Sequence, residues 1–109
     1  MAVAFKNVKS RNIGAAATAI GTYTVPAVTT SVVTSLTVAN VTANTIVVEV
    51  SVYDASNDYF IAKGVEILAG GSLVITGDDR LILNTLESVR VKSDTATSCD
   101  AVMSLIEYT

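Results

Sequence analysis

Histidine and tryptophan are absent from this 109-residue chain, and cysteine and proline occur once each. Each absence removes a class of function. Without histidine the chain lacks the commonest general base near neutral pH and the commonest transition-metal ligand. No Ser-His-Asp or Cys-His arrangement can form within one copy. The lone cysteine, Cys99, has no partner for an internal disulfide, as expected of a protein made in a reducing compartment. No base neighbours it in sequence, so a buried structural thiol is its expected state. Aromatic residues make up only 6% of the chain, which leaves little platform for stacking a sugar. Charged residues make up 16%, and the 7 Lys and Arg are scattered thinly. Nucleic-acid binders instead cluster such residues to neutralise phosphates, so no nucleic-acid partner is expected. No apolar run approaches the ~20 residues of a spanning helix, and no membrane partner is expected either. The segment Met1–Arg11 carries charge and is not followed by the apolar block of a secretory signal.

What is present is apolar and β-branched. Half of the residues are hydrophobic, mostly Val, Ile, Leu and Ala, and the polar remainder is rich in Thr and Ser. Val, Ile and Thr are stiff at χ1 and suit the pleated surface of a strand. The net charge is −3. One small domain cannot hide this much apolar surface in a single core. The excess predicts burial against other copies or other proteins, so a homo-oligomer is expected.

Alternation with period 2 recurs along the chain. In Thr45–Asp54, Ile46, Val48, Val50 and Val52 share one face, opposite Glu49, Ser51 and Tyr53. In Ser31–Asn40, Val32, Leu36 and Val38 oppose Ser35 and Thr37. Ser88–Ser93 turns Val89 and Val91 inward and Arg90 and Lys92 outward. Cys99–Thr109 alternates Cys99, Ala101, Met103 and Leu105 against Asp100, Val102, Ser104 and Ile106. Both of these last faces are largely apolar, which predicts a strand covered on two sides.

Turn chemistry separates the runs. Pro26 ends the extended segment Ile20–Val25, since proline cannot donate to a central ladder. Asp54–Asp58 reads as a hairpin loop leading to Tyr59–Lys63. Gly70-Gly71, Gly77-Asp78-Asp79, Asn84–Glu87 and Asp94–Thr97 punctuate the rest. One helical turn is expected over Gly14–Ala19. The sum is an all-β protein, a single β-sandwich of about eight or nine short antiparallel strands, either jelly-roll-like or Ig-like. Residues 1–19 form a terminal strand or an arm, and residues 20–109 the sandwich.

The remaining motifs read as structure. Asp78-Asp79 and Asp54…Asp58 lack the ordered spacing and closing Glu of a calcium loop, and ordinary turns are expected. Gly64 and Gly70-Gly71 precede neither a Lys-Ser/Thr pair nor a helix, so they form no phosphate loop. Asn40-Val41-Thr42 matches a glycosylation sequon and reads as a turn between strands. No cofactor, metal or catalytic residue is expected, and the chain is not expected to be an enzyme. Partner contacts are expected at the basic N-terminal segment, through Phe5, Lys6, Lys9 and Arg11. Among the tyrosines, Tyr23 and Tyr59 are expected to join them, because an exposed tyrosine offers large area at low entropy cost.

The stretches GTYTVPAVTTSVVTSLTVANVT, VVEVSVYD, LAGGSLVITGDDRLIL, ESVRVKS and DAVMSLIE together resemble a family of small bacteriophage virion proteins. The resemblance spans Ile20–Glu107 and rests on strand-and-turn patterns. It implies a β-sandwich subunit of the virion, assembled in the host cytoplasm and held by other phage structural proteins. The leading expectation is a decoration or cement protein on the capsid. A neck, collar or tail component is the alternative, and a receptor- or glycan-binding surface module the second.

Overall fold

The structure, a computed structural model, describes residues 2–75 and 80–109. The turn at Gly77-Asp78-Asp79 lies outside the described residues. Nine strands are found among those described: β1 (Val3–Ile13), β2 (Thr18–Ala19), β3 (Thr30–Asn40), β4 (Ile46–Tyr53), β5 (Asp58–Ile67), β6 (Ser72–Val74), β7 (Leu81–Leu83), β8 (Ser88–Ser93) and β9 (Cys99–Tyr108). They form two antiparallel sheets packed face to face. The first has the order β1-β9-β3, with β6 and β7 sharing the far edge of β3; the second has the order β2-β8-β4-β5. The protein is an all-β sandwich.

The pairing rule selects the jelly roll over the Ig-like alternative. Strand β4 pairs with β5, β3 with β6 and β7, β2 with β8, and β1 with β9. The chain is therefore one long two-stranded ribbon with the β4–β5 hairpin at its tip. Rolling that ribbon up adds the contacts of β9 with β3 and of β8 with β4. This winding is the jelly roll. Residues 1–19 supply β1 to one sheet and β2 to the other.

The inner faces follow the alternation read from sequence for β4, β8 and β9. Ile46, Val48, Val50, Val89, Val91, Cys99, Ala101, Met103 and Leu105 are all buried between the sheets. In β3 the pattern changes. Val33 pairs with Leu105 while Ser35 pairs with Ser104, so Thr34 is an extra residue in a β-bulge. The bulge resets the parity of the strand. Val33 joins Leu36 and Val38 inside, and Val32, expected inside, faces outward. The helical turn also lies elsewhere. Thr18 and Ala19 pair with Val91 and Arg90, and the helical turn, a short 3-10 one, spans Ile20–Thr22. The segment Ile20–Val25 is thus extended only from Tyr23 onward. There Val25 is held by Glu87 and Leu86 through backbone hydrogen bonds of 3.0 and 2.9 Å.

Two glycines permit the close turns. Gly21 has φ +61°, and a Cβ there would meet the Val8 side chain at 2.8 Å. Gly64, with φ +69°, is the extra residue of a bulge in β5, between Lys63 opposite Glu49 and Val65 opposite Val48. No helix among the described residues is long and apolar enough to cross a membrane.

Candidate functional site

The residues expected to make contacts divide among different surfaces. Phe5 and Lys9 share the outer face of β1, and Phe5 is 80% exposed. Arg11 lies further along the same strand and is exposed. Lys6 points to the opposite side, where its Nζ lies 3.3 Å from Glu107 Oε1. Tyr59 is exposed on β5 in the second sheet. Tyr23 is not on the surface at all. It is 9% exposed, and its hydroxyl donates to Glu107 Oε2 at 2.6 Å and lies 2.6 Å from Ser31 Oγ. Burial, and then the bond to Glu107, pushes the Tyr23 phenol up to about 12.

The register of the first sheet assembles a surface that sequence reading did not gather. Phe5 lies beside Ile106, Ile106 beside Val32, and Val32 beside Ile82. These four form one apolar row across β1, β9, β3 and β7 on the outer face. A second row runs Lys9–Val102–Thr37–Val74. Between the two lies a polar row, Asn7–Ser104–Ser35, and at the end of the sheet lies Val3–Tyr108–Thr30. Of these, Val3, Phe5, Val74, Ile82 and Val102 are exposed. Strand β9, expected to be covered on both sides, is covered on one. Its signal was correct in composition, since Val102, Ile106 and Tyr108 give the outer face an apolar character. Among the described residues no element covers them.

The second sheet behaves as a solvated face. The outward positions of β4, β5 and β8 hold Glu49, Asp58, Lys63, Glu66, Arg90 and Lys92. Arg90 Nε lies 3.6 Å from Asp58 Oδ1, and its guanidinium stacks 4.3 Å from the Tyr53 ring centre. Lys63 covers the Phe60 ring at 4.3 Å. A depression of about 240 Å³ is lined by Glu49, Ser51, Asp58, Phe60, Arg90 and Lys92, among others. A second depression of about 360 Å³ shares Glu49 and Lys92 with it and is lined besides by Ala15, Val47, Ser93 and Asp94. By contrast, the rows of the first sheet carry one charge, Lys9, and Asp100 lies beyond them at the far end of β9. An antiparallel sheet facing water alternates apolar-in with polar-out. The second sheet interleaves its charges with exposed Tyr59, Phe60 and Ile61 on its edge strand β5, whereas the outer rows of the first hold almost no charge.

The other candidate groups are committed to structure. Asp54 Oδ1 accepts the amides of Ser56 and Asn57 at 2.9 and 2.7 Å, and those bonds hold its carboxyl below the usual range. Asp58 accepts from Ser51 Oγ at 3.0 Å besides facing Arg90. The sequon residue Asn40 is buried. Its Nδ2 donates to the carbonyls of Asn44 and Ile67, and its Oδ1 accepts from the amide and hydroxyl of Thr42. Cys99 is fully buried, and burial pushes its thiol up to about 11.

One end of the sandwich shows backbone strain. Val28 and Leu86 both adopt left-handed φ, 56° and 71°, and both are exposed. Their loops touch through the Leu86 amide to the Val25 carbonyl and the Thr85 hydroxyl to the Thr29 carbonyl. A β-branched residue rarely adopts this region, and it persists here because the two loops hold each other. No protein-family model matches the chain, and no curated protein matches it.

Proposed function

We propose that this chain is a bacteriophage virion structural protein, a capsid decoration protein that acts through protein–protein contacts and performs no chemistry. The observation that carries the reading is the outer face of the first sheet, whose rows hold a single charge, Lys9. A 109-residue domain with half of its residues hydrophobic leaves exposed apolar side chains, and five of them, Val3, Phe5, Val74, Ile82 and Val102, share this face. Such a face on a protein surface marks a contact with another protein. The jelly roll supports the reading by analogy, since it recurs in viral capsid domains, although a fold alone does not fix a function. The resemblance of the strand-and-turn motifs to small virion proteins points the same way.

The mechanism is passive. A protein that binds the assembled shell, and not its free subunits, shifts the equilibrium toward the shell by mass action. Many small contacts, each weak, sum over the lattice. The partners are the major capsid protein and further copies of this chain, and the place of action is the virion. Counting copies on purified particles, by quantitative mass spectrometry and imaging, tests the reading. A shell-wide lattice requires copies in proportion to capsid subunits. A few copies confined to one vertex transfer the protein to the neck, collar or tail, and none at all overturns the virion reading.

A further inference from the structure

The outer face of the first sheet matches itself. We propose that it packs face to face against the same face of a second copy, about a two-fold axis running parallel to the strands between β9 and β3. The proposal deepens the structural reading above, because it names what covers the exposed rows. Rotation about that axis keeps each row opposite itself and exchanges left with right. Phe5 of one copy then lies over Ile82 of the other, and Ile106 over Val32, so the apolar row meets the apolar row. Ser104 lies over Ser35 in the polar row, and the Tyr108 hydroxyl over Thr30. In the remaining row Val102 lies over Thr37, and the Lys9 stem crosses Val74 at the rim, where its ammonium stays in water. Two sheets that pack this way lie about 10 Å apart with strands within about 30° of parallel.

Charge and area select this occupant. A nucleic acid or a strongly charged protein needs opposite charge on the face, and the rows offer only Lys9. The second sheet of another copy presents Glu49, Asp58, Lys63, Glu66, Arg90 and Lys92, which would lose water against apolar rows without gaining partners. The outer rows of the first sheet carry one charge among them, so the same rows of a second copy meet them with little charge left to desolvate. Four strand positions by eight residues give a footprint of about 500 Å² in projection, before side-chain relief is counted. Standard interfaces bury about 800 Å² per partner, so the association is specific but weak, in the micromolar range.

Sedimentation of the purified full chain provides the first test. A concentration-dependent monomer–dimer equilibrium is expected below about 100 µM. Ile82→Glu should weaken it more than about 100-fold by placing a carboxylate in the apolar row. Both Ile82 and Val74 point outward from short edge strands, so Ile82→Glu and Val74→Glu should keep the fold, checked by circular dichroism. The second test mixes Phe5→Cys protein with Ile82→Cys protein and adds a bismaleimide that spans about 8 Å, suited to the sheet separation. Cross-linking in the mixture, and little in either variant alone, is expected, while buried Cys99 stays unlabelled. A chain that stays monomeric at about 100 µM overturns the proposal. So does a dimer that survives Ile82→Glu and fails to cross-link. Particles bearing isolated monomers with this face on the shell would overturn the proposal and keep the virion reading. Dimers of a protein that no particle contains would do the reverse.

Discussion

The Tyr23 hydroxyl joins segments that are far apart in sequence. Glu107 comes from β9, Ser31 from β3, and Lys6, paired with Glu107, from β1. Tyr23→Phe keeps the ring and removes the bridge, leaving Ser31 and one carboxylate oxygen without their partner in a buried site. The expected cost is about 1–3 kcal/mol. For a domain of this size that is a fall in Tm of roughly 5–15 °C. The effect carries a pH signature. In the folded chain the phenol titrates near 12 rather than 10, so folding favours its neutral form. Its contribution is complete below pH 10 and is lost as the pH rises toward 12. The Tm difference between the native chain and Tyr23→Phe should stay constant up to pH 10 and shrink above it. A difference that holds unchanged to pH 12 would show that the hydroxyl does not titrate as described. Sequence could not reveal this role. Nothing near Tyr23 in the chain indicates that a carboxylate 84 residues away will meet it. Asn40 is similar: its turn and three local side-chain bonds fit Asn40-Val41-Thr42, whereas the fourth bond depends on Ile67 arriving from β5.

At the scale of elements, the strands are legible because alternation reports which side of a strand meets the core. Bulges are where that reading breaks. Gly64 announces its bulge, since glycine is the residue that takes left-handed φ without cost. Thr34 gives no such sign, and the parity of β3 before it is therefore misread. Two of the left-handed glycines, Gly21 and Gly64, predict a contrast. Gly64 has nothing within 4 Å of an added Cβ, so Gly64→Ala meets only backbone strain, about 1–2 kcal/mol. At Gly21 the same strain is joined by the Val8 Cβ at 2.8 Å and the Lys9 amide nitrogen at 3.0 Å. The second contact is backbone of a paired strand and cannot swing aside. Gly21→Ala should therefore cost at least about 1 kcal/mol more than Gly64→Ala, since overpacking adds about 1–3 kcal/mol. Urea denaturation of the two variants measures this, and equal midpoints would mean that β1 yields freely at Lys9. The helical turn fails for a related reason. Ala15–Ala17 tolerate a helix, but Thr18 and Ala19 gain ladder partners in β8, and the turn moves to Ile20.

At the scale of the molecule, period-2 patterning says which face of a strand is buried and is silent about which strand lies beside it. That is why a sandwich was legible while the choice between jelly roll and Ig-like order was not. The ribbon winding makes the chain ends essential. Ala2 and Thr109 exchange backbone hydrogen bonds of 3.1 and 3.0 Å, and β1 runs beside β9 from Val3 to Ile13. A chain that begins at Ile20 loses this entire edge, together with β2. About nine ladder bonds at roughly 1 kcal/mol each are lost, plus about 2–3 kcal/mol for burial of Ile13. The Ile13 and Gly14 carbonyls that receive Ser98 and Ser93 also disappear. The sum reaches the whole margin of about 5–15 kcal/mol that a domain possesses. The shortened chain should therefore be unfolded or aggregated in circular dichroism and NMR. Addition of a synthetic peptide covering residues 1–19 should restore dispersed spectra by refilling the edge. If the first nineteen residues were instead a detachable arm, the shortened chain would fold alone and melt within a few degrees of the full one.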